Sequence, residues 1–371
     1  MPFPVSTLTV TRFRSLRNLT VGPFGRVNLI TGKNNTGKST LLEAIALLLS
    51  DDALGTLIGL LNLREETDLK APVALLEQPW FSSLFSDFPN LSECGEPLAV
   101  STAGTESASG KTVEIKVLWR PEQVDSEPGN RSHESAPGLD DPSAPYKIPY
   151  LEIKTPRGHR MVLLDSMVPL TATGLADFTQ RSRIPCVYFD PFRSRSIAQL
   201  GALWDSVALT PAERQVVEAL QIIAPDIEAV SMIGSENGKR SRTVIAKSRR
   251  FRTPVPLRTF GDGVNHLFGI ILSLVKAEDG VLLVDEIENG LHHSILPEVW
   301  KVIFQMAAEL NVQVFATTHS WDCVDSFQQA ANGHPEAGVL ARLTAHGGRI
   351  IPTLFSEEDL SVIASERIEV R

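Results

Sequence analysis

The chain is 371 residues long and 43% apolar, enough for a sizeable core arranged as one large domain or two ordinary ones. It contains no run of about 20 apolar residues and no basic segment leading into an apolar signal core, so neither a membrane span nor secretion is expected and a soluble cytoplasmic protein is. Three scattered cysteines, Cys94, Cys186 and Cys323, offer neither a disulfide framework nor a cysteine zinc site, and the net charge of -9 leaves room only for a local basic patch.

From Ser6 to Phe13 apolar and polar residues alternate, a basic stretch with Arg12, Arg14 and Arg17 follows, and Val27–Ile30 reads as a buried run. Two short strands are expected there. Lys38, Leu41, Leu42, Ala44, Ile45, Leu47 and Leu48 then mark a helix ending near Asp51 and Asp52. Mixed signals and frequent breakers fix no element over 53–110. Val113, Ile115, Val117 and Trp119 alternate with polar residues and, with Tyr150–Lys154 and Met161–Leu164, predict an antiparallel sheet. Between these strands, 121–147 is rich in Pro, Gly, Ser and acidic residues and predicts a mobile surface loop.

Cys186–Phe189 predicts a further buried strand, and the helical spacing of Leu200, Leu203, Val207, Val216, Val217, Leu220 and Ile223 predicts a helical lobe over roughly 195–230. In the last third, apolar strands at Gly280–Val284 and Val312–Ala316 flank an amphipathic helix through Val299, Trp300, Ile303 and Ala307. That is the pattern of a parallel sheet covered on both faces. Strands at Val339–Leu343 and Arg349–Leu354, joined at Gly347-Gly348, and a helix beginning near Ser356 complete the expectation.

The sharpest chemical signal is Gly32-Lys33-Asn34-Asn35-Thr36-Gly37-Lys38-Ser39, a GxxxxGK[ST] phosphate loop between a predicted strand and a predicted helix. Its glycines allow the backbone N–H groups to wrap phosphates at a helix N-terminus, with Thr40 beside them. Lys38 is placed to reach the β and γ phosphates of ATP, and Ser39 to ligate Mg²⁺. Such a loop needs a carboxylate at the end of an apolar strand, and Val281-Leu282-Leu283-Val284-Asp285-Glu286 supplies two. Asp285 is the candidate for the Mg²⁺ shell and Glu286 the candidate to polarise the attacking water. His319, ending the next apolar strand, is a candidate sensor of the γ phosphate. The pair His292-His293 and the trio His319, Asp322, Cys323 lack the partners of a metal or nucleophilic centre.

This order of motifs resembles the ABC-type ATPase heads of the RecF, SMC and OLD (overcoming-lysogenization-defect) group over nearly the whole chain. Thr11-Arg12-Phe13-Arg14-Ser15-Leu16 is similar to the group's first strand and FRS turn, and Asp285 to His292 resembles its carboxylates and D-loop. His319 matches its switch histidine, and Gln78 is a candidate for its Q-loop glutamine. Leu257 to Gly263 stands in the place of the signature motif, with Thr259 where serine is usual.

The resemblance implies an α/β P-loop NTPase: an ABC-ATPase-like head with a mixed or parallel core sheet, an antiparallel β lobe and a helical lobe. One head would span 1–371, with a phosphate-loop lobe at 1–70, an antiparallel insertion at 71–185, the helical lobe at 186–255, and the signature, carboxylate and histidine half at 256–371. It further implies a homodimer sandwiching two ATP molecules, in which Gly261 and Gly263 let the signature helix approach the partner's nucleotide. The implied function is ATP hydrolysis as motor or sensor of a bacterial anti-phage defence system. A RecF-like DNA clamp in repair and a nucleotide-gated scaffold with little turnover remain alternatives.

Full-length members of the OLD group carry a Toprim nuclease after the ATPase. Only 52 residues follow His319 here and no DxD occurs, so cleavage is expected from a separate Toprim-like effector chain. The basic segment 239–258, with Lys239, Arg240, Arg242, Lys247, Arg249, Arg250, Arg252 and Arg258, is a candidate DNA contact or a solvated hairpin. The acidic tail with Glu357, Glu358 and Asp359 is a candidate docking surface.

Overall fold

The computed structural model describes residues 3–64, 66, 79–90, 95–103, 110–121, 147–164, 183–189, 197–234, 242–332 and 338–355. Its central sheet has six strands: β3 (Val27–Thr31), β8 (Cys186–Phe189), β12 (Val281–Val284), β13 (Gln313–Thr318), β14 (Gly338–His346) and β15 (Arg349–Phe355). They lie in the order β15-β14-β3-β13-β12-β8, parallel except for β15, which returns antiparallel to β14 through Gly347 and Gly348 at φ 56 and 73.

Every residue of β3, β12 and β13 is buried. Alternate side chains serve opposite cores, as the two-residue period of a strand requires. Val27, Leu29, Leu282, Val284, Val314 and Ala316 face a core built with α4 (Ile197–Val207), α5 (Pro211–Ile223), α6 (Asp262–Lys276), α7 (Leu296–Glu309) and α8 (Trp321–Ala331). Ile30, Val281, Leu283 and Phe315 face the other, built with α1 (Lys38–Leu49), α2 (Ala53–Leu63) and a second sheet.

That second sheet is antiparallel, in the order β2-β1-β4-β5-β6-β7. It comprises β1 (Leu8–Phe13), β2 (Leu16–Val21), β4 (Leu98–Thr102), β5 (Lys111–Pro121), β6 (Lys147–Thr155) and β7 (Gly158–Leu163). The boundary expected at residue 70 therefore does not separate the layers, because β1 and β2 pair into the sheet assigned to 71–185. The expected pair of strands before the phosphate loop is also three, since the basic stretch is the turn and second arm of a hairpin. The lobe expected to be helical carries a small sheet as well, β9 (Ile227–Gly234), β10 (Arg242–Ser248) and β11 (Val255–Pro256), in the order β11-β10-β9.

The hairpin turn is made without glycine: Arg14 in the turn, and Arg12 just before it in β1, have φ of 52 and 58. Such backbone costs a non-glycine residue about 1–2 kcal/mol, and a set of ion pairs holds Arg14 in this geometry. The Arg14 guanidinium, buried, lies 2.8 Å from Glu43 on α1 and donates to both carboxylate oxygens of Glu66 at 2.8 and 2.9 Å. Arg64 closes the network on Glu43 at 2.6 Å, and a short helical turn, α3 (Pro79–Ser82), leads to Ser83, whose hydroxyl donates to Glu66 at 3.0 Å.

No helix among the described residues is long and apolar enough to cross a membrane. Cys94, Gln78, Lys239, Arg240, most of the 121–147 loop, the helix expected from Ser356 and the tail with Glu357, Glu358 and Asp359 lie outside the described residues. Removing the acid that bridges the two guanidiniums leaves Arg14 with Glu66 and takes from Arg64 its Glu43 partner, so Glu43→Ala is expected to destabilise the fold by about 1–3 kcal/mol in denaturant unfolding. Arg17→Ala, which loses only the exposed pair with Asp87, is expected to cost about 0–1 kcal/mol in the same measurement.

Candidate functional site

The phosphate loop turns from β3 into α1 through three positive-φ residues, Gly32 at 149, Asn35 at 62 and Gly37 at 82. Both glycines are required by close approach. A Cβ on Gly32 would lie 2.4 Å from the Leu343 carbonyl oxygen, and one on Gly37 would lie 2.7 Å from Leu16 Cδ2 and 2.9 Å from Ser15 Oγ. The hairpin turn thus seats directly on the start of α1. Thr36 Oγ1 donates to the Lys33 carbonyl at 2.9 Å and fixes the loop, leaving Lys33, Asn34 and Asn35 exposed. Ser39 is half-buried on the first turn of α1, while Thr40 is buried and its hydroxyl accepts from Arg64 at 3.4 Å.

Lys38 is buried, and its ammonium curls back to donate to the carbonyls of Gly32 and Lys33 at 2.8 and 3.0 Å and to His319 Nδ1 at 3.2 Å. Burial lowers its pKa to about 8 despite Asp285, Glu286 and Glu288 nearby, so the group is still predominantly a cation at neutral pH. Since Nδ1 accepts from the ammonium, the proton of a neutral His319 sits on Nε2, which lies 3.5 Å from Glu286 Oε1. Lys38, His319 and Glu286 form one continuous polar chain.

The two acids leave β12 beside the end of β13, and Thr317 organises them. Its hydroxyl donates to Asp285 Oδ1 at 2.5 Å and accepts from the Glu286 amide at 2.8 Å, while its carbonyl accepts from the Ile287 amide at 3.1 Å. Tyr188 on β8 donates to the other oxygen of Asp285 at 3.4 Å. Glu286 itself has φ 46, and its carboxylate accepts from Asn289. Glu288 reaches across to accept the His319 amide at 2.8 Å. Motif reading assigned no role to Thr317, Tyr188 or Glu288; a hydroxyl at the buried end of a strand, two residues before His319, was the available signal for Thr317.

Asp285, Glu286, Lys38, Ser39 and His319 are thus gathered at the ends of three adjacent strands, β3, β13 and β12, where ligands collect in α/β sheets. Among the described residues no three His, Cys, Asp or Glu side chains form a metal cage. The hard oxygen donors of Ser39 and Asp285 suit Mg²⁺ held jointly with phosphate oxygens.

Thr259, Gly261 and Gly263 join a different neighbourhood. Thr259 is exposed on a 3₁₀ turn, Leu257–Phe260, and Gly261 caps α6 at φ 110 with open space where a side chain would stand. A Cβ on Gly263 would meet Ile295 Cδ1 of the same chain at 2.8 Å, and Leu291 Cδ2 at 3.6 Å. The small size of Gly263 therefore serves packing against the segment following Asn289, and Gly261 is the open position.

The described basic residues of 239–258 are largely engaged within their own lobe. Arg242 is bidentate to Asp205, Lys247 lies 3.0 Å from Glu228, Arg249 donates to the Pro225 carbonyl, and Arg258 lies 4.0 Å from Asp262. Arg250 stacks on Phe251, which in turn packs edge-on against Phe260 at the signature turn.

The family described as "AAA domain, putative AbiEii toxin, Type IV TA system" matches residues 27–322. A curated relative from Helicobacter pylori (strain ATCC 700392 / 26695), named ATP/GTP phosphatase, is 22% identical over 341 residues, covering 88% of each chain. Among solved structures, the SMC head domain from Thermotoga maritima aligns with a TM-score of 0.44 at 12% identity, covering 95% of this chain and 99% of that one. An Smc head domain with an extended coiled coil bound to the C-terminal domain of ScpA, derived from Pyrococcus furiosus, aligns with a TM-score of 0.46 at 14% identity, covering 100% of both.

Thr317→Val keeps the β-branched shape and deletes both hydroxyl hydrogen bonds. Amide hydrogens of the segment 284–290 are expected to exchange about tenfold faster in native-state mass spectrometry, with α1 unchanged. Unaltered exchange in that segment would show that the hydroxyl does not hold the turn.

Proposed function

Since the chain belongs to this AAA-domain family, we propose that it binds ATP and Mg²⁺ and hydrolyses ATP to ADP and phosphate at the ends of β3, β12 and β13, as a homodimer with composite sites. The observation that carries this reading is the polar chain from Lys38 through His319 to Glu286, two links of 3.2 and 3.5 Å that join the phosphate loop to the acid after β12. A cation, an imidazole and a carboxylate joined in this way support a site at which a terminal phosphate meets its attacking water.

Lys38 exchanges the carbonyls and the His319 nitrogen for phosphate oxygens, a trade of neutral acceptors for charged ones. His319, relieved of the ammonium, keeps its Nε2 proton available to the phosphate or to Glu286. Glu286, whose main chain is held by Thr317 and whose side chain is held by Asn289, accepts the proton of the attacking water. Asp285 and Ser39 would hold the Mg²⁺, which supplies charge neutralisation for the phosphates. The open N-terminus of α6 at Gly261, which has no side-chain cap, serves the nucleotide of the second chain through its dipole.

The chain's role in the cell is that of motor or sensor in an antiviral defence system of the OLD type, with a separate, nuclease-type effector. The family's description, which names a toxin and a type IV TA system, supports this reading, and the name of the Helicobacter pylori relative supports nucleotide hydrolysis.

Lys38→Ala is expected to weaken nucleotide binding by about 10–100-fold, the loss of charge-assisted hydrogen bonds. Glu286→Gln is expected to bind normally, turn over about 10²–10⁴-fold more slowly and accumulate as a nucleotide-bound dimer in size-exclusion chromatography. Normal hydrolysis by Glu286→Gln would sink the assignment. Composite sites are tested by mixing Lys38→Ala with Gly261→Val chains. Both homodimers are expected to be inactive and the mixture to recover about a quarter of the wild-type rate, the share of intact composite sites in random pairing.

A further inference from the structure

We propose that Glu288 is a positioning residue that holds His319 in line between Lys38 and Glu286. The inference rests on the reading of those three residues as the hydrolytic machinery. The ladder of β13 with β12 ends at Val284 opposite Ala316, and its ladder with β3 ends at Thr318 opposite Thr31. His319 therefore lies one residue beyond the ladder with β3 and three beyond the ladder with β12, where no strand supplies an acceptor for its amide. Glu288 Oε1 supplies it at 2.8 Å.

A role in the fold alone accounts poorly for this carboxylate. The following helix, α8, is capped by Ser320, whose hydroxyl accepts from the Cys323 amide at 3.4 Å, and the Ser320 amide donates to Thr318 at 3.0 Å. The turn after β12 is already tied to β13 through both the hydroxyl and the carbonyl of Thr317. Glu288 adds no further tie to that strand except at His319. It does so at a cost, because its second oxygen, Oε2, is buried without a hydrogen-bond partner, and a half-satisfied carboxylate is destabilising. The carboxylate also lies near enough to Lys38 to act electrostatically on its ammonium, as Asp285 and Glu286 do.

The amide oxygen of Gln can accept the same hydrogen bond without the charge, whereas Asp keeps the charge but withdraws the oxygen by one methylene. Turnover and nucleotide affinity are measured for Glu288→Gln, Glu288→Asp and Glu288→Ala, each also in a His319→Ala background. Expected are a kcat for Glu288→Gln within about threefold of wild type and losses of about 10–100-fold for Glu288→Asp and Glu288→Ala, with nucleotide affinity unchanged. Glu288→Ala should cause no further loss once His319 is absent. Equal impairment of the Gln and Asp variants, or an undiminished effect of Glu288→Ala in the His319→Ala background, would overturn the inference. If Glu288→Ala does not fold, the Gln and Asp pair decides it alone. His319→Ala at wild-type turnover would overturn the hydrolytic reading and this inference together, while an impaired His319→Ala beside a wild-type Glu288→Asp would overturn this inference only.

Discussion

The side chain of Thr317 is a donor to one acid and an acceptor for the amide of the next, and its strand lies between the strand that feeds the phosphate loop and the strand that ends in the acids. The contacts that join the phosphate loop to the acids run through the end of β13 and the residue that follows it. Thr317 sets the turn after β12, and two residues later His319 touches Lys38 on one side and Glu286 on the other. A central parallel strand suits this work because its backbone is pinned on both edges, so its terminal side chains inherit the rigidity of the sheet. The phosphate loop and the acids are then positioned relative to each other without direct contact between the loops that carry them.

A second constraint acts from the opposite face of α1. Arg14, Glu43, Arg64 and Glu66 form a partly buried network that draws the β1–β2 turn onto the helix, and the turn's Ser15 and Leu16 occupy the space that Gly37 leaves open. Buried ion pairs are weak contributors to net stability, but they are selective about geometry, since an arrangement that separates the partners strands a charge in the interior. Here that selectivity fixes the seat of the phosphate loop. Arg64 also reaches Thr40, so the network ends on the first turn of the loop's own helix.

The elements most legible in the sequence were those whose signal is local. The phosphate loop announces itself through its glycines and Lys38, β12 through an unbroken apolar run, and β3 and β13 through predominantly apolar ones, because full burial on both faces favours them. The β1–β2 hairpin was obscured because Arg14 and Ser15 turn the chain where Gly or Asn is the usual sign, and the ion pairs that hold Arg14 in this geometry come from residues 43 and 66. The sheet in the helical lobe was hidden by charge: Arg242 and Lys247 lie within β10, paired to acids that sequence spacing does not reveal. Thr317 and Glu288 act by bridging two strand ends 31 or 32 residues apart in sequence, and no periodicity encodes such a bridge. Gly263 was legible as a small residue, but its neighbour is Ile295 of the same chain.

Glu286 occupies left-handed backbone, with φ 46. For a residue carrying a Cβ this conformation costs on the order of 1–3 kcal/mol, and the surrounding hydrogen bonds exist in part to impose it. Glycine would relax there at no steric cost, so the position sets thermal robustness against chemistry at a single residue. On the role proposed for Glu286, a population of variants sorted only for resistance to heat would drift toward glycine and lose the carboxylate, whereas one sorted for turnover would keep the strained glutamate. The backbone angle thus identifies a place where the chain retains a less comfortable residue than its own fold prefers.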